Sequence, residues 1–201
     1  MKALIVNYGV GNFFSIECAL KKTGLDARIV VSPEELDGAD GIVLPGVGNF
    51  GVASENLEPF KSTIAKLVAK GVPLLGVCLG MQLLFEESEE GLGKGLGLIR
   101  GKVVRLPRQV KTPHMGWNTL KLHRSERLLE GINEKDYFYF VHSYYPKPLN
   151  ESVVAAETSY GVDFASVLDT GNIYATQFHP EKSGKAGMRI LANFSDLIAR
   201  R

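Results

Sequence analysis

The sequence predicts an α/β fold. A mostly parallel central sheet is flanked by helices on both faces, with a mixed or antiparallel portion added in the C-terminal half. Three observations carry this. Short apolar runs alternate with helix-length segments up to Glu89, as in a parallel sheet covered on both sides. Glycine-rich turns follow several of those runs, where open sheets place their ligands. After Glu89 the spacing changes to closely set strand-like runs with turns between them.

Lys2 to Val6 reads as a buried strand, followed by a helix after Asn12 that ends near Gly24. Ala27 to Val31 is a second strand. Ser32-Pro33-Glu34-Glu35 starts a helix, with a capping serine, a first-turn proline and a glutamate three residues on. Gly41 to Leu44 is a third strand. Phe60 to Ala69 forms a helix stopped by Gly71. Val72 to Val77 is a fourth strand, and Leu79 to Glu87 a helix. Beyond the glycine-rich loop Glu90 to Gly97, strands are expected at 102–106, 116–122, 137–144, 152–157, 164–168 and 173–178. A last helix turns Met188, Leu191, Phe194 and Ile198 toward the core.

A chain of 201 residues suits one domain, spanning 1–201. With 45% hydrophobic and 22% charged residues it falls in the ordinary globular class. A net charge of +1 gives no reason to expect nucleic acid. Two cysteines make no disulfide scaffold and favour a reducing compartment. The apolar stretch from Val72 to Phe85 is interrupted by Gly76, Gly80 and Gln82, and falls short of the roughly 20 residues of a membrane span. No signal-peptide run follows Met1, so the cytoplasm is the expected location.

Cys78 lies in Gly76-Val77-Cys78-Leu79-Gly80, directly after an apolar run. Glycines two places before and after a nucleophile leave room for a sharp strand-to-helix turn, as in the Gly-x-Ser-x-Gly elbow. A thiolate there needs only a neighbouring base. Cys18, on a helical face, reads as a small buried hydrophobe. For the base, His123 sits in a basic surface stretch, while His114 and His142 remain open by position. His179 has the better case: Glu181 is two residues away, on the same face of an extended chain, where a carboxylate orients an imidazole. Acyl chemistry also needs donors for an oxyanion. The Leu79 amide opens a helix, and Gly46-Val47-Gly48 lets backbone approach closely. Gly9-Val10-Gly11 lacks the third glycine of a dinucleotide fingerprint, Phe14 standing in its place, so no cofactor is expected. No four ligands have zinc spacing, so no metal is expected either. These residues leave open a self-contained cysteine hydrolase and a non-catalytic module that has kept the fold.

Gly76-Val77-Cys78-Leu79-Gly80-Met81-Gln82 together with Gln177-Phe178-His179-Pro180-Glu181 resembles the class I, triad-type glutamine amidotransferases. Tyr8 to Asn12, Pro45 to Phe50, Pro113 to Asn118, Tyr139 to Tyr144 and His179 to Ser183 extend the resemblance from the first strand to the last helix. More narrowly, they resemble the glutaminase subunits of imidazole glycerol phosphate synthases, of histidine biosynthesis.

The resemblance implies Cys78 as nucleophile, His179 as base and later acid, and Glu181 as orienting carboxylate. It implies that Gln82, Ser143 and Tyr144 hold the amino-acid end of glutamine, and that Gly46, Val47 and Gly48 form an oxyanion strand. It further implies that ammonia passes by tunnel to a (β/α)8-barrel cyclase subunit in a heterodimer. His114, Trp117, Tyr137 and Lys182 are the expected interface residues.

Overall fold

The computed structural model describes residues 1–124 and 126–200. Its main sheet has eight strands. In spatial order they are β2 (Asp26–Val30), β1 (Lys2–Val6), β3 (Gly41–Leu44), β4 (Leu74–Val77), β13 (Ile173–Thr176), β12 (Asp163–Thr170), β11 (Val154–Ser159) and β8 (Lys121–Leu122). The first five in that order are parallel, and β12, β11 and β8 continue the sheet antiparallel. This is the mixed sheet that the change of spacing after Glu89 predicts.

Alternation along β1 shows how the sheet makes two cores. Leu4 and Val6 pack on one face with Leu57, Phe60 and Ile64 of α2 (Phe50–Ala69). Ala3 and Ile5 pack on the other with Ile16 and Leu20 of α1 (Phe13–Lys21) and with Ile190, Leu191 and Phe194 of α4 (Gly184–Ala199). Strands β1, β3, β4 and β13 are nearly continuous in burial, as covering on both faces requires. No helix among the described residues is long and apolar enough to cross a membrane.

Several element boundaries differ from the sequence reading. Helix α2 begins at Phe50, not Phe60, and carries Pro59 inside it. The Asn49 side chain caps it by accepting the Val52 N–H at 3.2 Å. A mid-helix proline costs ~3 kcal/mol. Phe50, Leu57, Phe60 and Ile64 are buried along this helix, and each contributes roughly 1.5–3 kcal/mol, so burial wins. The turn after Ser32 is only a short 3₁₀ helix, Pro33–Leu36, with the Glu35 carboxylate accepting the Ser32 N–H at 3.1 Å. The helix after Cys78, α3 (Leu79–Gln82), is a single turn.

The expected strand 116–122 divides into β7 (His114–Asn118) and β8, and 137–144 divides into β9 (Phe138–His142) and β10 (Tyr144–Pro148). β7 pairs with β9 as a separate antiparallel ribbon, while β10 joins β6 (Gly101–Arg105) and β5 (Glu87–Ser88) in a three-stranded sheet. Large apolar residues stand on both sides of each break, Met115 and Trp117 before Leu120 and Leu122, and Val141 before Tyr144, so composition alone does not reveal the change of partner. In α4, Met188 is only half-buried, and Ile190 and Leu197 join the core instead.

Candidate active site

β4 ends at Val77, and the chain turns at Cys78 with φ 55° and ψ −107° before α3 begins at Leu79. Among the described residues Cys78 is the one non-glycine with positive φ. Its N–H donates to the Thr176 carbonyl at 2.7 Å, which ties the turn to β13. Both flanking glycines are needed for close approach. A Cβ on Gly76 would stand 2.9 Å from the Gly80 carbonyl oxygen and the Met81 nitrogen, and one on Gly80 would stand 1.6 Å from the Leu44 carbonyl oxygen. The turn thus raises the sulfur at the carboxyl end of the sheet, where the Gln177 Nε2 lies 3.7 Å from it and the Val141 carbonyl also lies 3.7 Å away.

His179 follows the neighbouring strand β13. Its N–H donates to the Tyr139 carbonyl at 2.9 Å, and the Ser183 hydroxyl donates to its carbonyl at 2.6 Å. The same Ser183 oxygen accepts the Tyr139 N–H at 2.9 Å, so β9 and the His179 turn are locked together. The imidazole Nδ1 meets Glu181 Oε1 at 2.9 Å, with side-chain exposures of 3% and 4%. A carboxylate there fixes the ring with its proton on Nδ1, which leaves Nε2 for proton exchange with sulfur. Nε2 is buried and has no hydrogen-bond partner among the described residues. Burial opposes a charge on this ring, but the charge of Cys78 and then the Glu181 carboxylate outweigh it and push the imidazole up to about 10.

These roles separate in two substitutions. Glu181→Gln removes the charge and keeps the shape, so turnover should fall by about 10²–10⁴-fold, and His179→Ala should cost at least a further tenfold. Because Glu181 raises the His179 pKa, its loss should also move the alkaline limb of the pH–rate profile to lower pH. Equal losses in kcat with an unmoved limb would overturn the assignment.

A cavity of about 200 Å³ opens over Cys78, lined among others by Val47, Gly48, Leu79, Gln82, Glu90 and Tyr144. A larger groove of about 870 Å³ runs between α1 and α4, where half-buried Cys18 lies, but it meets the triad only through Glu181. The smaller cavity, which holds the sulfur, is the candidate site. On its oxyanion side the Leu79 N–H points at the Gly46 carbonyl, 3.4 Å away. Gly48 is held at φ +129°, where a side chain is strained. The Tyr8 hydroxyl, kept neutral by burial, donates to the Pro45 carbonyl and braces the loop from behind.

The cavity therefore brings together Cys78, Val47, Gly48, Leu79, Gln82, Ser143 and Tyr144, with the Gly46 carbonyl against the Leu79 N–H. The His179–Glu181 pair joins them through the His179 ring, which feels the charge of Cys78. Gln82 lines the cavity, although its amide nitrogen is already held by the Tyr144 carbonyl at 2.9 Å and by Gln177 Oε1 at 3.2 Å. Among the expected interface residues, Trp117 and Tyr137 are 56% and 59% exposed, and Lys182 is exposed too. His114 is corrected: it is 3% exposed, its ring sandwiched between Tyr160 and Phe140. It faces inward because its cross-strand partner on β9 is another buried histidine, His142.

Sequence reasoning missed Glu90. Its carboxylate reaches across from the glycine-rich loop to accept the Phe50 N–H at 2.7 Å, at the start of α2. It also lines the cavity, and burial raises its pKa. A single glutamate forty positions from the helix it caps carries no local signal.

Comparison with known proteins agrees with this geometry. The profile of the Glutamine amidotransferase class-I family matches residues 4–197. An imidazole glycerol phosphate synthase subunit HisH from Methanocaldococcus jannaschii is 51% identical over 197 residues, covering 96% of this chain and 98% of that protein. The protein of the same name from Methanothermobacter thermautotrophicus is 50% identical over 195 residues, covering 96% of this chain and 98% of that protein. A solved crystal structure described as a glutamine amidotransferase superposes with a TM-score of 0.76 at 26% identity, covering 98% of this chain and 98% of that one. The chain belongs to the class-I glutamine amidotransferases and, within them, to the family of HisH subunits of imidazole glycerol phosphate synthase.

Proposed function

We propose that this chain hydrolyses glutamine to glutamate and ammonia at Cys78. The ammonia then passes by tunnel to a (β/α)8-barrel cyclase subunit that makes imidazole glycerol phosphate and an aminoimidazole carboxamide ribonucleotide. The observation that carries the reading is the meeting of a positive-φ cysteine with a buried His179–Glu181 pair at the carboxyl end of one sheet.

In this reading the Cys78 thiolate attacks the carboxamide carbon of glutamine. The tetrahedral oxyanion is held by the Leu79 amide and by an amide of the Gly46–Gly48 strand, each donor contributing about 10²–10³ in rate. For Leu79 to serve, the Gly46 carbonyl it now faces must move aside. The His179 imidazolium gives its proton to the departing nitrogen, and ammonia leaves a thioester on Cys78. His179 then takes a proton from water, hydroxide adds to the thioester, and glutamate is released as the thiolate reforms. Glu90, a carboxylate in the cavity wall, suits the α-ammonium of glutamine, and the Ser143–Tyr144 segment its carboxylate end.

Trp117, Met115 and Tyr137 expose large apolar area on or beside the β7–β9 ribbon, and Lys182 follows Glu181. Aromatic anchors of this kind suit the cyclase interface. The test is glutamate release by the chain alone, and with the cyclase subunit plus its nucleotide substrate. Low release alone that rises sharply with both additions is expected. High release that ignores the partner would make this a free-standing hydrolase.

A further inference from the structure

We propose that His142 and His114 are positioning residues for the glutamine pocket, forming a one-way hydrogen-bond chain that fixes the Ser143–Tyr144 wall. The inference rests on the glutaminase reading above and adds the groups that set the pocket's shape.

The two rings face each other as cross-strand partners on β7 and β9, with His114 Nδ1 3.0 Å from His142 Nε2. His142 Nδ1 lies 2.9 Å from the Tyr144 carbonyl. A carbonyl can only accept, so His142 carries its proton on Nδ1. Its Nε2 must then accept, so His114 donates from Nδ1, and the far nitrogen of His114 is an acceptor. Asn118 Nδ2 stands 3.5 Å from that nitrogen. The orientation of this amide is set independently, because its oxygen accepts the Thr119 N–H at 2.9 Å and its nitrogen donates to the Ser159 carbonyl at 3.2 Å. Both ends therefore demand the same direction, from amide through two neutral imidazoles to carbonyl.

Protonating either ring would set two donors against each other. Burial agrees with this, pushing His114 down to about 4 and His142 down to about 3. Aromatic neighbours hold the rings in place: Tyr160 stacks 4.0 Å from His114, and Phe164 lies 4.9 Å from His142.

The chain of bonds ends on the pocket. The Tyr144 carbonyl takes a second donor, Gln82 Nε2, at 2.9 Å. That nitrogen also donates to Gln177 Oε1 at 3.2 Å, and Gln177 Nε2 reaches Cys78 Sγ at 3.7 Å. One carbonyl thus fixes the pocket wall, the Gln82 side chain and, through Gln177, a group on the nucleophile. Losing the histidine donor should loosen glutamine binding more than it slows chemistry.

Two variants separate the donor from the bulk. His142→Leu removes the N–H at similar size, and His142→Asn returns an N–H near the Nδ1 place. His142→Leu should raise KM for glutamine about tenfold with kcat changed less than about threefold, and His142→Asn should recover most of that loss. Alkylation of Cys78 by iodoacetamide, which needs no glutamine pocket, should keep its rate in both. A wild-type KM in His142→Leu, or equal losses in the two variants, would overturn the proposal. A second measurement needs neither variant nor substrate. Long-range ¹H–¹⁵N spectra of the wild-type imidazoles at neutral pH should show both rings neutral with the proton on Nδ1. A His142 proton on Nε2 would refute the chain of bonds whatever the substrate. Nδ1 protons in a wild-type protein that releases no glutamate with its partner would leave that chain standing and remove only the glutaminase reading.

Discussion

Cys78→Ala should abolish glutamate release, by about 10⁴-fold or more, without unfolding the protein. The residue at this turn adopts φ 55° and ψ −107°, a sparsely populated backbone conformation that costs an L-residue roughly 1–3 kcal/mol. Cysteine already bears that cost, so alanine adds none. The amide that ties the turn to Thr176 belongs to the backbone and survives the change. The sulfur's own contacts are two weak 3.7 Å approaches, so their loss is small. The variant should therefore still bind its cyclase partner, and synthesis from added ammonium salts should continue. Glutamate release at more than a hundredth of the wild-type rate would mean that another group is the nucleophile.

Gly80→Ala should do the reverse and damage the fold to reach the site. A Cβ there would stand 1.6 Å from the Leu44 carbonyl oxygen and 2.6 Å from its carbon. Both are backbone atoms of β3, in the middle of the sheet, and cannot swing aside as a side-chain tip can. Either β3 shifts or α3 lifts, and the nucleophile turn goes with it. A loss of at least about 3 kcal/mol is expected, which for a chain of this size lowers the melting temperature by roughly 6–12 °C. Gly171→Ala is the matched control. Its φ is also positive, at +63°, but no atom lies within 4 Å of the added carbon. It should cost only the backbone strain, about 1–2 kcal/mol. Similar melting temperatures for the two variants would show that the sheet yields at Leu44.

The contrast between these glycines explains why the elbow is legible in the sequence. Two glycines at fixed distance from a cysteine state a steric need, and the close backbone around Gly76 and Gly80 is its cause. The His179–Glu181 pair is legible for a similar reason: both groups lie on one short segment, and the 2.9 Å contact needs no distant partner. What the sequence hides depends on residues far apart in the chain. His114 looks like a surface group beside Trp117, yet β9 places His142 opposite it. Glu90 looks like a loop charge, yet it caps α2. The start of α2 is hidden because Pro59 signals a boundary locally, while the burial that overrides it is tertiary. The strands of the antiparallel region are legible, but which sheet each joins is not. That choice is made by the chain breaks at Thr119–Leu120 and Ser143, and apolar residues stand on both sides of each.

The ends of the main sheet bear on solubility. One terminal strand, β8, is two residues long, and the other, β2, turns Asp26 and Arg28 outward as a charged pair 2.8 Å apart. Neither offers the long, flat, uncharged row of amides that templates strand addition between copies. Crowded chains should therefore resist fibril-like stacking, and self-association, if forced by concentration, should start instead at the exposed aromatic ribbon.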